Sequence, residues 1–187
     1  MTNNLKSIAF IPAKGDSKRL PNKNLSKINS KSLVEISIDY AKSSKYVDEI
    51  FVSTESEEIK KIAIINNAHV ISRPKNLLGE AEVADVYVDF FKHFEHKNKY
   101  KYFIGLQPDH PDRINELDNL IEYAYKKNYM DLFTVNPNGS RNGSVRIIEC
   151  NYLKSGSISR RVGSFLDSCT NVEHLEQLES VREKLNK

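Results

Sequence analysis

The sequence predicts an α/β domain built on a doubly wound, mostly parallel sheet with a Rossmann-like nucleotide-binding half, and three observations predict it. Short apolar runs that suit buried strands alternate with longer stretches of helical periodicity along the chain. The first such run ends at a proline and gives way to a polar loop containing glycine. The chain is 187 residues long, 39% hydrophobic and 28% charged, enough for one domain with its own core, so a single domain over 1–187 is expected.

The opening run, residues 7–13, is too short for a helix and apolar on both sides, as a central parallel strand requires, and Pro12 stops it. A helix is expected over 32–43, where Leu33, Ile36, Ile38, Tyr40 and Ala41 form one apolar face. Residues 46–53 hold Ile50, Phe51 and Val52 in a second strand, and 56–67 form a helix with Ile59, Ile62 and Ala63 on one side. A strand at 68–71 completes the strand, helix, strand, helix, strand order that favours right-handed parallel crossovers. Helix 83–94, strand 102–106, helix 115–127 and strand 131–135 continue it. From 136 to 163 the sequence turns rich in Asn, Gly and Ser, with one clear strand at 144–150. A final helix over about 171–185 carries Val172, Leu175, Leu178, Val181 and Leu185, with Thr170 or Asn171 as its cap.

Several function classes are excluded or disfavoured. No apolar run approaches the roughly 20 residues that span a bilayer, and the first residues lack an apolar export core, so a cytoplasmic protein with no membrane partner is expected. The net charge of +3 comes from 28 basic and 25 acidic residues, a near balance that does not argue for a nucleic-acid partner. Two cysteines, Cys150 and Cys169, are too few for a disulfide framework or a four-thiolate zinc site and read as core thiols.

The loop after the first strand concentrates the chemistry. Lys14, Lys18, Arg19 and Lys23 stand within ten residues that also hold Gly15 and Ser17, with Asn24 following. In an open α/β sheet this is where phosphates bind, and amides near Gly15 ringed by cations suit a polyphosphate. The loop is neither a G-x-x-x-x-G-K-[ST] nor a G-x-G-x-x-G sequence, which sets aside P-loop ATPases and ordinary dinucleotide dehydrogenases. Bound phosphates or a solvated basic surface are the two readings of the composition alone.

The run Ile11-Pro-Ala-Lys-Gly-Asp-Ser-Lys-Arg-Leu-Pro-Asn-Lys-Asn24 resembles the signature loop of the acylneuraminate (CMP-sialic acid synthetase) cytidylyltransferases, approximately Pro-Ala-Arg-Gly-Gly-Ser-Lys-Arg-Ile-Pro-x-Lys-Asn. Three more stretches resemble that family's motifs in order: Val52-Ser-Thr-Glu55, Ser72-Arg-Pro74, and Leu106-Gln-Pro-Asp-His-Pro-Asp-Arg113. Lys14 stands where the family usually has arginine, a point charge in place of a bidentate fork, and Asp16 replaces a glycine.

The resemblance implies a nucleotide-diphospho-sugar transferase fold and a Mg²⁺-dependent cytidylyltransferase, in which an acceptor oxygen attacks the α-phosphorus of CTP and pyrophosphate leaves. Its implied nucleotide contacts are Pro12, Ala13, Lys14, Gly15, Ser17, Lys18, Arg19, Lys23, Asn24, Arg73 and Gln107, with Lys14, Lys23 and Asp109 catalytic. Nucleotidyl transfer needs carboxylates near strand ends to hold Mg²⁺. Asp109, before His110 and Pro111, resembles the metal-binding Asp-x-Pro of sugar nucleotidyltransferases, or else caps a turn; Asp167 falls near the family's C-terminal metal aspartates. His110, Asp112 and Arg113 occupy the implied acceptor side, although His110 also reads as a bystander and Arg73 as a surface turn residue. The acceptor is a 2-keto sugar acid or a smaller phosphorylated or phosphonate compound, destined for a surface glycan, and a homodimer is the implied assembly. Relatives of this kind run longer, so a shortened acceptor and dimerisation segment is expected at about 136–163. The competing class is a catalytically silent nucleotide-binding homologue, suggested by Lys14, Asp16 and the blurred motif around Asp167.

Overall fold

The computed structural model describes residues 5–78, 81–155 and 161–186. Nine strands and six α-helices follow one another among them: β1 (Ser7–Pro12), β2 (Lys27–Ile28), β3 (Lys31–Ser32), α1 (Leu33–Lys42), β4 (Val47–Thr54), α2 (Glu57–Ile65), β5 (His69–Ser72), α3 (Val83–His93), β6 (Tyr102–Leu106), α4 (Leu117–Lys126), β7 (Asp131–Val135), β8 (Arg141–Glu149), α5 (Cys150–Ser155), β9 (Val162–Leu166) and α6 (Leu175–Leu185). Seven strands form one sheet in the order β5-β4-β1-β6-β8-β7-β9, and β2 and β3 form a separate small ribbon. Strand β1 pairs in parallel with β4 and β6, and β4 with β5. Strand β8 runs antiparallel to both β6 and β7, while β9 runs parallel to β7, so β8 alone opposes the common direction. The sheet is therefore mostly parallel, as expected, with one reversed strand.

Alternation along the buried strands divides the core into two layers. Ala9 and Ile11 of β1, with Tyr102, Ile104 and Leu106 of β6, pack on the side covered by α1, α2 and α4, where Val34, Ile38, Ile59, Leu120 and Ile121 meet them. Ile8, Phe10 and Phe103 face the other side, against Val86, Tyr87, Phe90 and Phe91 of α3. Rings of Phe10 and Phe90 stand 4.7 Å apart between centroids, and Phe10 and Tyr87 meet edge to face at 5.7 Å, arrangements that add to area burial. Helix α1 starts with a capping box: Glu35 N–H donates to Ser32 Oγ at 3.4 Å and Ser32 N–H to Glu35 Oε2 at 2.7 Å. A third cluster joins Ile28 and Leu33 to Val172, Leu178 and Val181, seating α6 on the ribbon.

The C-terminal region departs from the sequence expectation. Helix α6 begins at Leu175, not near residue 171, and Thr170 does not cap it. Thr170 N–H and Oγ1 instead donate to the Asp112 carboxylate at 2.7 and 2.9 Å, and residues 170–174 are not helical. The strand expected at 144–150 starts at Arg141, and Cys150 opens α5. Residues 156–160 of the segment expected to be shortened lie outside the described residues. Both cysteines are free; Cys150 is buried, which pushes its thiol up to about 12 and makes it inert. No helix among the described residues is long and apolar enough to cross a membrane.

Candidate active site

The carboxyl ends of β1, β4 and β6 converge where the loop after β1 leaves the sheet. Ala13 N–H donates to Ser53 O at 2.9 Å, carrying the β1–β4 pairing one residue into the loop. Beyond it the Lys14–Gly15 peptide unit is held at both polar ends. Asn24 Nδ2 donates to Lys14 O at 2.8 Å, and Gly15 N–H donates to Glu55 Oε1 at 2.6 Å. Asp16 N–H reaches the same oxygen at 3.3 Å. The amides that the sequence offered to phosphate thus face a carboxylate of the protein. Gly15 is required there sterically, because a Cβ would come within 2.7 Å of Ser56 Cβ.

Lys14 and Lys23 line two adjoining spaces. One is a cavity of about 110 Å³ walled by Pro12, Asn24, Arg73, Gln107 and Asp109, at the strand ends where open α/β sheets bind ligands. The other, about 380 Å³, is a polar basin completed by Ser17, Lys18, Arg19 and Glu173. Lys23 Nζ donates to Asp109 Oδ2 at 2.6 Å, and His110 Nδ1 donates to Asp109 Oδ1 at 2.8 Å. Burial by itself would raise the Asp109 carboxyl, but the His110 hydrogen bond and charge and the Lys23 ammonium outweigh it and hold the group below the usual carboxylate range. His110 is buried, and its Nε2 has no hydrogen-bond partner among the described residues.

The opposite wall is Arg73, a buried residue and not a surface one, whose Nε donates to Leu77 O at 2.9 Å. Burial pushes its guanidinium down from the ordinary value and the Glu55 carboxylate counters that. Gln107 stands between this cavity and a further one of about 410 Å³ lined by Arg141, Gly143 and Arg146. Gly143, at φ +75°, makes room for it: a Cβ there would lie 2.8 Å from Gln107 Nε2. Arg141 Cζ sits over the Phe133 ring, 3.7 Å from the ring centroid, and Arg146 pairs bidentately with Asp131 at 3.0 and 2.7 Å.

The remaining residues singled out in the sequence sit behind these spaces. Arg113 Nη2 donates to Gln107 O at 2.6 Å and to Ser144 O at 3.2 Å, and burial lowers its guanidinium. Asp112, besides Thr170, accepts from Lys184 Nζ at 2.5 Å. Asp167 Oδ1 accepts from the N–H groups of Ile114 and Asn115, both at 3.2 Å, and from Asn115 Nδ2 at 2.9 Å; its Oδ2 is buried with no partner among the described residues. Neither Asp112 nor Asp167 lines the cavity at Asp109. Arg19 is paired with Glu173 at 2.5 Å, so the C-terminal segment reaches the rim of the basin. Glu55 and Glu173 had no role in the sequence reading. For Glu55 the available signal was an acid at a strand's carboxyl end, directly before a helix cap.

The model of the family described as "Cytidylyltransferase" matches residues 8–148. The chain belongs to the cytidylyltransferase family. It is 30% identical over 146 residues to the N-acylneuraminate cytidylyltransferase of Streptococcus agalactiae serotype V, covering 70% of this chain and 35% of that protein. It is 39% identical over 74 residues to the pseudaminic acid cytidylyltransferase of Campylobacter jejuni, covering 39% of this chain and 32% of that one. The chain thus spans about a third of the length of the curated relatives it matches. Among solved structures, a CMP:2-keto-3-deoxy-manno-octonic acid synthetase complexed with CTP superposes with a TM-score of 0.75 at 16% identity over 97% of this chain and 98% of that one, which shows the shared fold.

For a cytidylyltransferase-family site the metal question rests on the donor set. No group of three or more His, Cys, Asp or Glu side chains gathers to hold a metal among the described residues. Asp109 does place one hard oxygen ligand beside cations that suit phosphate. That fits Mg²⁺, which takes one or two carboxylates and completes its shell with substrate phosphates and water.

Proposed function

We propose that this chain transfers CMP from CTP to an anionic acceptor and releases pyrophosphate. The observation that carries the reading is the pair Lys14 and Lys23, each lining both the cavity at the strand ends and the polar basin beside it, in a chain of the cytidylyltransferase family. The nucleoside occupies the cavity beside Arg73 and Gln107, and the triphosphate lies in the basin against Ser17, Lys18 and Arg19. The acceptor oxygen attacks the α-phosphorus, the bond to the β-phosphate oxygen breaks, and Lys14 and Lys23 neutralise the charge that collects on the departing pyrophosphate. Asp109 would hold Mg²⁺, which would supply further charge neutralisation at the phosphates. Binding of phosphate at Lys23 exchanges part of its ion pair with Asp109 for contacts to ligand oxygens.

The acceptor occupies the larger cavity across Gln107, where Arg141 meets its anionic group. It is a 2-keto sugar acid of the kind named in the relatives, or a smaller phosphorylated or phosphonate compound, and the CMP-linked product is a donor for glycan assembly. Pyrophosphate release from CTP, ATP, GTP and UTP with Mg²⁺ and these acceptor classes tests the proposal. The expected result is release from CTP with one acceptor class. Measurable CTP binding with no release from any acceptor would instead establish a silent nucleotide-binding homologue.

A further inference from the structure

We propose that Glu55 is a positioning residue of the nucleotide site: its carboxylate fills the anion-binding notch made by the Gly15 and Asp16 N–H groups and thereby fixes Lys14 at the mouth of both spaces. The inference rests on the nucleotide reading above and deepens it. Two successive backbone N–H groups converging on one oxygen form the kind of concavity that elsewhere takes a phosphate. Here they converge on Glu55 Oε1, at 2.6 and 3.3 Å.

Displacement of Glu55 by an incoming phosphate is opposed by the packing. Gly15 lies so close to Ser56 that even a methyl group would collide at 2.7 Å, and its amide is turned to Glu55, between β4 and α2. The carbonyl of the same peptide unit accepts from Asn24 at 2.8 Å. With both ends gripped, the Lys14 backbone has one orientation, and its side chain lines both the cavity and the basin. Glu55 also bears on the far wall through its charge at Arg73. One carboxylate therefore ties the phosphate side of the site to the nucleoside side, and the loop addresses phosphate through its side-chain cations.

The test uses the full chain with Glu55→Ala and Glu55→Gln, the second keeping an oxygen acceptor should the first fold poorly. Without nucleotide, the ¹H–¹⁵N resonances of Gly15 and Asp16 are expected to move upfield in both variants, further in Glu55→Ala. In titrations, CTP affinity is expected to fall about tenfold in Glu55→Ala, or about 1.4 kcal/mol, and by less in Glu55→Gln. Cytidine, which has no phosphate, is expected to lose less affinity than CTP in either variant. Unmoved amide resonances overturn the inference, as does CTP binding that is unchanged or tighter in Glu55→Ala, which would mark Glu55 as a competitor of phosphate. Equal losses for CTP and cytidine overturn it by showing general damage to the site. Failure of the wild-type chain to bind CTP defeats the nucleotide reading itself, whereas wild-type binding retained in Glu55→Ala defeats the positioning role alone.

Discussion

Asp109, half-buried, and Asp167, buried, both lie near carboxyl ends of strands, yet their partners differ in kind. Asp109 is held by two side chains, Lys23 and His110, and lines a cavity, so a ligand can exchange for one of its partners. One oxygen of Asp167 is held by two backbone N–H groups and an asparagine amide, which fastens the turn after β6 to the end of β9. Asp112 belongs with Asp167, joining that turn to Thr170 and Lys184. The contacts of Asp109 leave a carboxylate facing a cavity, whereas those of Asp167 tie two segments of the chain together.

The contrast breaks most visibly at Lys23 and Asp109. Lys23→Ala and Asp109→Ala are expected to lower kcat on the order of 10²-fold to 10³-fold, measured as pyrophosphate release, because each removes charge complementarity at the transferring phosphate. An effect below about tenfold in both would place the chemistry elsewhere. Asp167→Ala is expected to act on stability, by about 2 kcal/mol in denaturant unfolding, since it removes the acceptor of two backbone N–H groups while Asn115 Nδ2 keeps Leu166 O. The folded variant should keep near-normal kcat. Lost turnover at unchanged stability would instead return Asp167 to the metal-binding role that its sequence position suggested.

The pH dependence sharpens the same contrast. The folded-state value of Asp109 is depressed, so its ion pair stabilises the protein above the unfolded carboxylate value of about 3.9 and loses that contribution as pH falls through the lower folded value. The difference in Tm between wild type and Asp109→Asn should be larger at neutral pH than below about pH 3.9, where it should shrink; a difference that grows in that acid range would contradict the assignment. The smallest effect is expected at the exposed Arg19–Glu173 pair, where Glu173→Gln should change stability by less than about 1 kcal/mol. A larger loss in denaturant unfolding would mean that the C-terminal segment depends on this contact.

How legible each region was in the sequence follows the same division. Strands β1 and β6 and the Ile50–Val52 stretch of β4 are apolar runs buried on both faces, and α1 and α4 carry clear periodicity, so the half of the fold that presents the loop could be read directly. Strand β9 was missed because Val162-Gly-Ser-Phe-Leu166 interrupts its apolar residues with Gly163 and Ser164 and forms a sheet edge. The two-residue strands β2 and β3 turn through Asn29 and Ser30 at positive φ, too short for any period to show. The reversal of β8 leaves no mark in composition, because the residues that suit a strand are the same whichever way it runs. At the site, the cations of the loop and Asp109 were found by motif. Glu55 was not given its role, because its place at the end of β4 says nothing of the amides it binds 40 positions earlier.

The central claim is that the loop after β1 binds phosphates through Lys14 and Lys23. Calorimetric titration of cytidine, CMP, CDP and CTP into the wild-type chain and Lys23→Ala tests it most directly. Affinity should rise with each added phosphate in the wild type and rise much less in the variant. Equal affinities along the series in the wild type, or an unchanged rise in Lys23→Ala, would contradict it.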